Sequence, residues 1–172
     1  MNVISTLINS EKISLKVKEL ADQISLDYQG QDLTVICVLR GAFLFCGDLV
    51  KQIKLDKVEI EFLGVGSYGN AVESSGIVDV TMPLTGNIEN KNVLIVEDIV
   101  DTGHTAVFLQ KLLLQKNPKS LKFASLLRKK SRLVCDVNID YLGFDIDDVF
   151  VIGYGLDYAG QYRNLDFIGI KN

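Results

Sequence analysis

The sequence predicts an α/β fold in which a central parallel sheet is flanked by helices. Three observations carry that prediction. Short runs of apolar, often β-branched residues recur at 33–39, 93–96 and 121–127, the pattern of strands covered on both faces. Segments with helical spacing of apolar residues stand between such runs. Twice, at Leu39-Arg40-Gly41 and at Glu97 to Thr105, a strand-like run passes through a short polar loop into a helix start, the unit from which parallel sheets are built.

Residues 3–8 read as a strand or a packed N-terminal arm. Ser10 is the expected N-cap of a helix carrying Ile13, Val17, Leu20, Ala21 and Ile24 on one face. Gly30 closes that region, a buried strand is predicted at 33–39, and a helix at 42–53. A third strand is predicted at 58–65. Residues 66–76 are rich in Gly, Ser and Asn and poor in large apolar side chains, a composition that predicts a mobile loop of the lid type. A strand at 77–82 precedes a turn near Pro83 and Gly86. The central strand at 93–96 is expected to end on the acids Glu97 and Asp98. The helix that follows, from about Thr105, is expected to stop near Asn117-Pro118. Another strand is predicted at 121–127, and a late one at 148–158 running into a Gly-rich turn. No linker or repeat divides the chain, and 172 residues suit one domain.

Composition narrows the function. A net charge of −4 argues against nucleic acid as partner, because phosphate backbones select basic faces. No apolar run is long enough to span a bilayer and no signal peptide opens the chain, so a cytoplasmic protein is expected. Cys37, Cys46 and Cys135 are odd in number and lack CxxC spacing, as expected of reduced, packed thiols.

The chemistry concentrates at Glu97-Asp98-Ile99-Val100-Asp101-Thr102-Gly103-His104-Thr105. In a parallel sheet ligands bind at the carboxyl ends of the strands. Adjacent acids there suit vicinal hydroxyls and a hard divalent cation. Thr102, Gly103 and Thr105, beside a helix N-terminus, suit a phosphate monoester. A ligand with both features is a ribose 5-phosphate. The stretch has neither Gly-Lys-Ser/Thr nor GxGxxG, so it is not a mononucleotide or dinucleotide loop of those types.

These residues resemble the phosphoribosyl-pyrophosphate signature of the type I phosphoribosyltransferases. Four more segments, in the same order, resemble the hypoxanthine-guanine members: Leu39-Arg40-Gly41, Ser67-Tyr68-Gly69, Leu126-Leu127-Arg128-Lys129, and Phe150 to Tyr158 with Tyr162-Arg163. The resemblance implies the type I fold, with one domain over 1–172. Its core would be about 10–132, and a small hood from about 1–9 and 133–172 would cover the purine. It implies Mg²⁺-dependent transfer of the phosphoribosyl group to hypoxanthine and guanine in purine salvage. Glu97, Asp98, Asp101, Thr102, Gly103, His104 and Thr105 would bind the phosphoribosyl group and its 5-phosphate, with Asp101 handling the purine N7 proton. Arg40, Gly41 and Arg163 would bind pyrophosphate, and the Arg40–Gly41 peptide is expected to be cis. Lys129, Phe150, Val151 and Asp157 would form the purine side. Ser67 and Tyr68 would lie on the mobile loop, and Glu97, Asp98 and Asp157 would hold metal. A homodimer or homotetramer is implied.

Each reading has a plainer rival. Arg-Gly after a strand is often only a turn, and basic runs such as 128–132 are mostly solvated faces, with Lys130 one register step from Lys129. Phe150 could be core and Asp157 a turn residue. His104 stands at a helix start, where its backbone N–H counts for more than its ring. Relatives often carry Lys or Asn there, and bacterial relatives often carry Pro where Lys130 stands. The alternatives are a xanthine-preferring enzyme, a non-catalytic regulator that binds phosphoribosyl pyrophosphate, and a phospho-acceptor domain using Asp98. The last leaves Arg40-Gly41 and 150–157 without a purpose.

Overall fold

The computed structural model of the protein describes residues 4–67 and 78–171. The elements in order are β1 (Ile4–Ile8), α1 (Ser10–Asp27), β2 (Leu33–Leu39), α2 (Phe43–Gln52), β3 (Val58–Ser67), β4 (Val78–Met82), β5 (Asn92–Val100), α3 (His104–Leu114), β6 (Ser120–Arg128), a 3₁₀ turn (Lys130–Arg132), β7 (Tyr141–Asp145), β8 (Val151–Ile152) and β9 (Ile168–Lys171).

The larger sheet has the order β4-β3-β2-β5-β6-β7. Strands β3, β2, β5, β6 and β7 pair in parallel, and β4 closes one edge antiparallel to β3. The sheet is therefore mixed, with a parallel centre. Side chains alternate across it, so β2 sends Val35 and Cys37 to one face and Ile36 and Val38 to the other. The first face is covered by α1 and α2, through residues such as Ile24, Phe45 and Leu49, and the second by α3, through Leu109 and Leu113. Full burial of one such side chain contributes about 1.5–3 kcal/mol, so both layers hold the sheet firmly.

Several expectations change. The cap of α1 is Asn9, whose side chain accepts from the Lys12 N–H at 2.9 Å. Ser10 is the first helical residue instead. Strand β5 does not stop at the acids. It runs to Val100, because Glu97, Ile99 and Val100 all pair with β6. Within 148–158 only Val151–Ile152 form a strand, and the turn is confined to Tyr154 and Gly155. Strand β7, in the segment expected to form the hood, instead adds to the larger sheet. A smaller sheet of order β1-β9-β8 joins the two ends of the chain. Tyr68 lies outside the described residues, and Ser67 is the last residue of β3.

The end of α1 is tied to the sheet by polar contacts. Asp27 accepts from the Tyr141 hydroxyl at 2.6 Å and from Lys122 at 2.9 Å. Among the described residues no helix is long and apolar enough to cross a membrane.

Candidate active site

The site begins where two neighbouring strands part. β2 pairs with β5 only through Thr34↔Val93 to Cys37↔Val96. Beyond that point β2 stays with β3, as far as Leu39↔Gly64, and β5 stays with β6, as far as Val100↔Arg128. The chain order reverses here, with β3 on one side of β2 and β5 on the other. A crevice at the carboxyl ends of strands flanking such a reversal is the general ligand position in open α/β sheets. Its walls are Arg40-Gly41 after β2 and Glu97-Asp98 within β5.

Gly41 and Asp98 meet across the crevice and divide it. On one side a cavity of about 220 Å³ is lined by Arg40, Gly41, Glu97, Asp98, Thr105 and the β3–β4 edge. On the other a cavity of about 280 Å³ is lined by Gly41, Asp98, Asp101, Lys129, Phe150, Val151, Asp157 and Arg163. The structure thus gathers residues from five separate stretches of sequence. A wider hollow of about 390 Å³ near Lys12, Phe144 and Asp147 holds no residue of the signature. The Leu39–Arg40 peptide is cis, one bond earlier than the resemblance implies.

Glu97 is buried and Asp98 is partly buried. Burial, then the neighbouring Asp98 charge, pushes the Glu97 carboxyl well above its usual range. Burial raises Asp98 to about 6, against the opposing pull of hydrogen bonds from the backbone N–H groups of Ile99 and Asp98 itself. Oε2 of Glu97 is buried without a hydrogen-bond partner. An orphaned buried carboxylate oxygen is costly unless something positive meets it. Among the described residues no three acids, histidines or cysteines converge on a common point. The orphaned Glu97 oxygen would suit a hard divalent cation such as Mg²⁺, which is held by one or two carboxylates plus substrate oxygens.

After β5 the chain turns through Asp101 and Thr102 to Gly103, whose φ of 92° makes it the left-handed cap of α3. His104 and Thr105 form the first turn, where backbone N–H groups have no intrahelical partner. The His104 ring faces Cys135, with Nδ1 3.3 Å from Sγ.

On the other side Lys129 is buried and lines the cavity, whereas Lys130 is exposed. Lys129 Nζ lies 3.7 Å from Asp101 and 3.4 Å from Asp148. Arg132 also reaches both acids, at 2.5 Å and 3.3 Å. Arg128, Lys129 and Arg132 of the basic run are therefore paired, Arg128 holding Asp145 at 2.6 Å, while Lys130 stays exposed. Sequence reasoning did not single out Arg132 or Asp148. Arg132 sits in a run whose plainest reading was a solvated face, and nothing local marks Asp148.

Phe150 is half exposed at the cavity, with its ring edge-to-face to Tyr158 at 5.8 Å, so it is not core. Val151 is buried beside it. Asp157 accepts from the Gly160 N–H at 2.7 Å and pairs with Arg163 at 2.6 Å. Arg163 also donates to the Gly155 carbonyl at 2.6 Å. Asp157 is thus both a turn residue and a wall of the cavity.

A family model described as the phosphoribosyl transferase domain matches residues 4–159. The hypoxanthine-guanine phosphoribosyltransferase of Mycobacterium tuberculosis is 44% identical over 171 residues, covering 96% of this chain and 84% of that one. The protein of the same name from Dictyostelium discoideum is 45% identical over 166 residues, covering 95% and 92%. A crystal structure of a hypoxanthine-guanine phosphoribosyltransferase from Bacillus anthracis superposes with a TM-score of 0.93 at 44% identity, over 100% of both chains. With the strand reversal, the divided crevice and the signature residues in one place, these matches make the chain a member of the phosphoribosyltransferase family, among its hypoxanthine-guanine phosphoribosyltransferases.

Proposed function

We propose that this protein transfers the 5-phosphoribosyl group from phosphoribosyl pyrophosphate to hypoxanthine and guanine, releasing pyrophosphate, in purine salvage. The observation that carries the proposal is the meeting of Gly41 with Asp98, which divides one crevice into two chambers. One chamber has the chemistry for a phosphorylated sugar and a departing polyanion. The other has a cation, an acid and an aromatic ring suited to a 6-oxopurine.

In this reading the first-turn N–H groups of α3, with Thr102, Gly103, His104 and Thr105, hold the 5-phosphate. Glu97 and Asp98 hold the ribose hydroxyls. Arg40, the Gly41 backbone and Arg163 clamp pyrophosphate, for which a planar, permanently charged guanidinium is well suited. Phe150 stacks on the base, the Val151 backbone reads its edge, and Lys129 donates to its 6-oxo group. The C1–oxygen bond to pyrophosphate breaks as the bond from C1 to purine N9 forms. Asp101, beside N7, takes up the purine proton, and such positioning contributes ~10²–10⁴-fold in rate. Glu97, Asp98 and Asp157 would hold Mg²⁺, which when bound would supply positive charge against the departing pyrophosphate. The segment that begins at Ser67 and Tyr68 would cover the site and exclude water, and the β1-β9-β8 sheet would be the hood. A cytoplasmic homodimer or homotetramer belongs to the proposal. It is supported by Ile60, Phe62 and Met82, which stand exposed together on one face of the β3–β4 edge.

The test is a phosphoribosyl transfer assay with hypoxanthine, guanine, xanthine and adenine, with Mg²⁺ or with a chelator, and with Asp101→Asn alongside. Turnover of 6-oxopurines that needs Mg²⁺ and drops sharply in the variant is expected. Binding of phosphoribosyl pyrophosphate with no turnover of any base would replace the enzyme with a regulator, and turnover of xanthine alone would reassign the substrate.

A further inference from the structure

Four charged groups close a ring beside the purine chamber. Lys129 lies between Asp101, at 3.7 Å, and Asp148, at 3.4 Å. Arg132 spans the same two acids, with Nε 2.5 Å from Asp101 Oδ1 and Nη1 3.3 Å from Asp148 Oδ2. The 3₁₀ turn that follows Lys129 makes this possible. Its closing hydrogen bond, Arg132 N–H to the Lys129 carbonyl at 3.0 Å, brings the guanidinium back over the acid that Lys129 faces.

The division of labour between the oxygens of Asp101 gives the ring a function. Arg132 holds Oδ1, whereas the Oδ2 atom is the one facing Lys129, and both Asp101 and Lys129 line the purine chamber. On a 6-oxopurine, N7 and the 6-oxo group lie side by side on one edge. Asp101 Oδ2 and Lys129 Nζ stand side by side in the same way. We infer that Arg132 is a positioning residue of the transfer reaction: it fixes one oxygen of Asp101 so that the other is presented, next to Lys129, to the N7 edge of the base. The inference rests on the phosphoribosyltransferase reading above. Asp148 completes the device from the far side by holding Lys129 and Arg132 at once.

A structural role alone is a poor explanation. The side chains of Arg132, Asp101 and Asp148 are 43%, 41% and 51% exposed, and ion pairs that open to water add little to stability. A guanidinium that spans two carboxylates fixes their relative position, which a single ammonium does less well.

The experiment is steady-state transfer to hypoxanthine by wild type, Arg132→Ala, Asp101→Asn and the double variant, with melting temperatures measured on each. Arg132→Ala is expected to lower kcat by roughly 10²-fold, as displacement of a reacting group by about 1 Å does. Its KM for phosphoribosyl pyrophosphate and its melting temperature should stay near wild type. If Arg132 acts through Asp101, the double variant is no slower than Asp101→Asn alone. Wild-type kcat in Arg132→Ala, or losses that multiply in the double variant, would overturn the inference. So would a lowered melting temperature with a parallel rise in that KM, which would mark a structural role. A wild type that turns over no purine would instead remove the underlying reading, and the inference with it.

Discussion

A Cβ on Gly41 would fall inside the carboxylate of Asp98. The contact joins the loop after β2 to the middle of β5 at the point where those strands stop pairing. The two chambers of the site share this contact as a wall, so neither can be shaped without it. A side chain at position 41 must displace Asp98, move the loop, or do both.

Gly41→Ala is therefore expected to lower transfer activity by roughly 10²-fold or more. The overpacking should also cost about 1–3 kcal/mol of stability. Transfer kinetics beside thermal melting would check both, and full activity in the variant would show that the contact is dispensable.

Gly103→Ala tests the turn between β5 and α3. The backbone there has a φ of 92°, and a Cβ would press on Val137 and Cys135. Strain of this kind costs about 1–3 kcal/mol. Because α3 begins at the next residue, part of it should appear in substrate binding. The KM for phosphoribosyl pyrophosphate is expected to rise about tenfold, with the KM for hypoxanthine less affected.

Lys129 and Lys130 differ in burial and should differ in consequence. Lys129→Met removes the one cation of the pair that lines the purine chamber, and loss of a charged hydrogen bond of this class is worth about 1.5–3 kcal/mol. The value of kcat/KM for hypoxanthine is expected to fall by ~10- to 10²-fold. Lys130→Met should leave it unchanged. Equal effects in the two variants would refute the assignment.

Asp27 carries a pH dependence that is independent of the active site. The Tyr141 hydroxyl first, and Lys122 second, hold its carboxyl below the usual range. A carboxylate whose pKa is lower in the folded chain contributes stability that is complete above its unfolded value and is lost as pH falls through the folded one. Asp27→Asn is expected to lower the melting temperature at neutral pH by about 2–4 °C, the equivalent of ~1 kcal/mol after allowing for partial exposure. The difference from wild type should shrink as pH falls below the ordinary aspartate value of about 3.9. A gap that stayed constant on acidification would show that the charge of Asp27 is not what matters.

What the amino-acid sequence determined by itself was local. Apolar, often β-branched runs and the short loops that punctuate them located β2, α2, β3 and β6 to within a residue or two, because such patterns are set by neighbours along the chain. The residues from Glu97 to Thr105 read as a candidate sugar-phosphate site because adjacent acids, a glycine and hydroxyls at a strand-to-helix turn suit that ligand. Tertiary structure decided the rest. β5 runs on through its acids because β6 pairs with them, a fact absent from residues 93–98 alone. β7 joins the larger sheet, and the two chain ends meet in the smaller one, through pairings between distant segments. The parting of β2 from β5 turns two loops into one divided crevice. Arg132 and Asp148 enter the site through ion pairs that span 31, 19 and 16 residues of sequence. Such contacts depend on where the folded backbone brings charges together, and no local pattern encodes that distance.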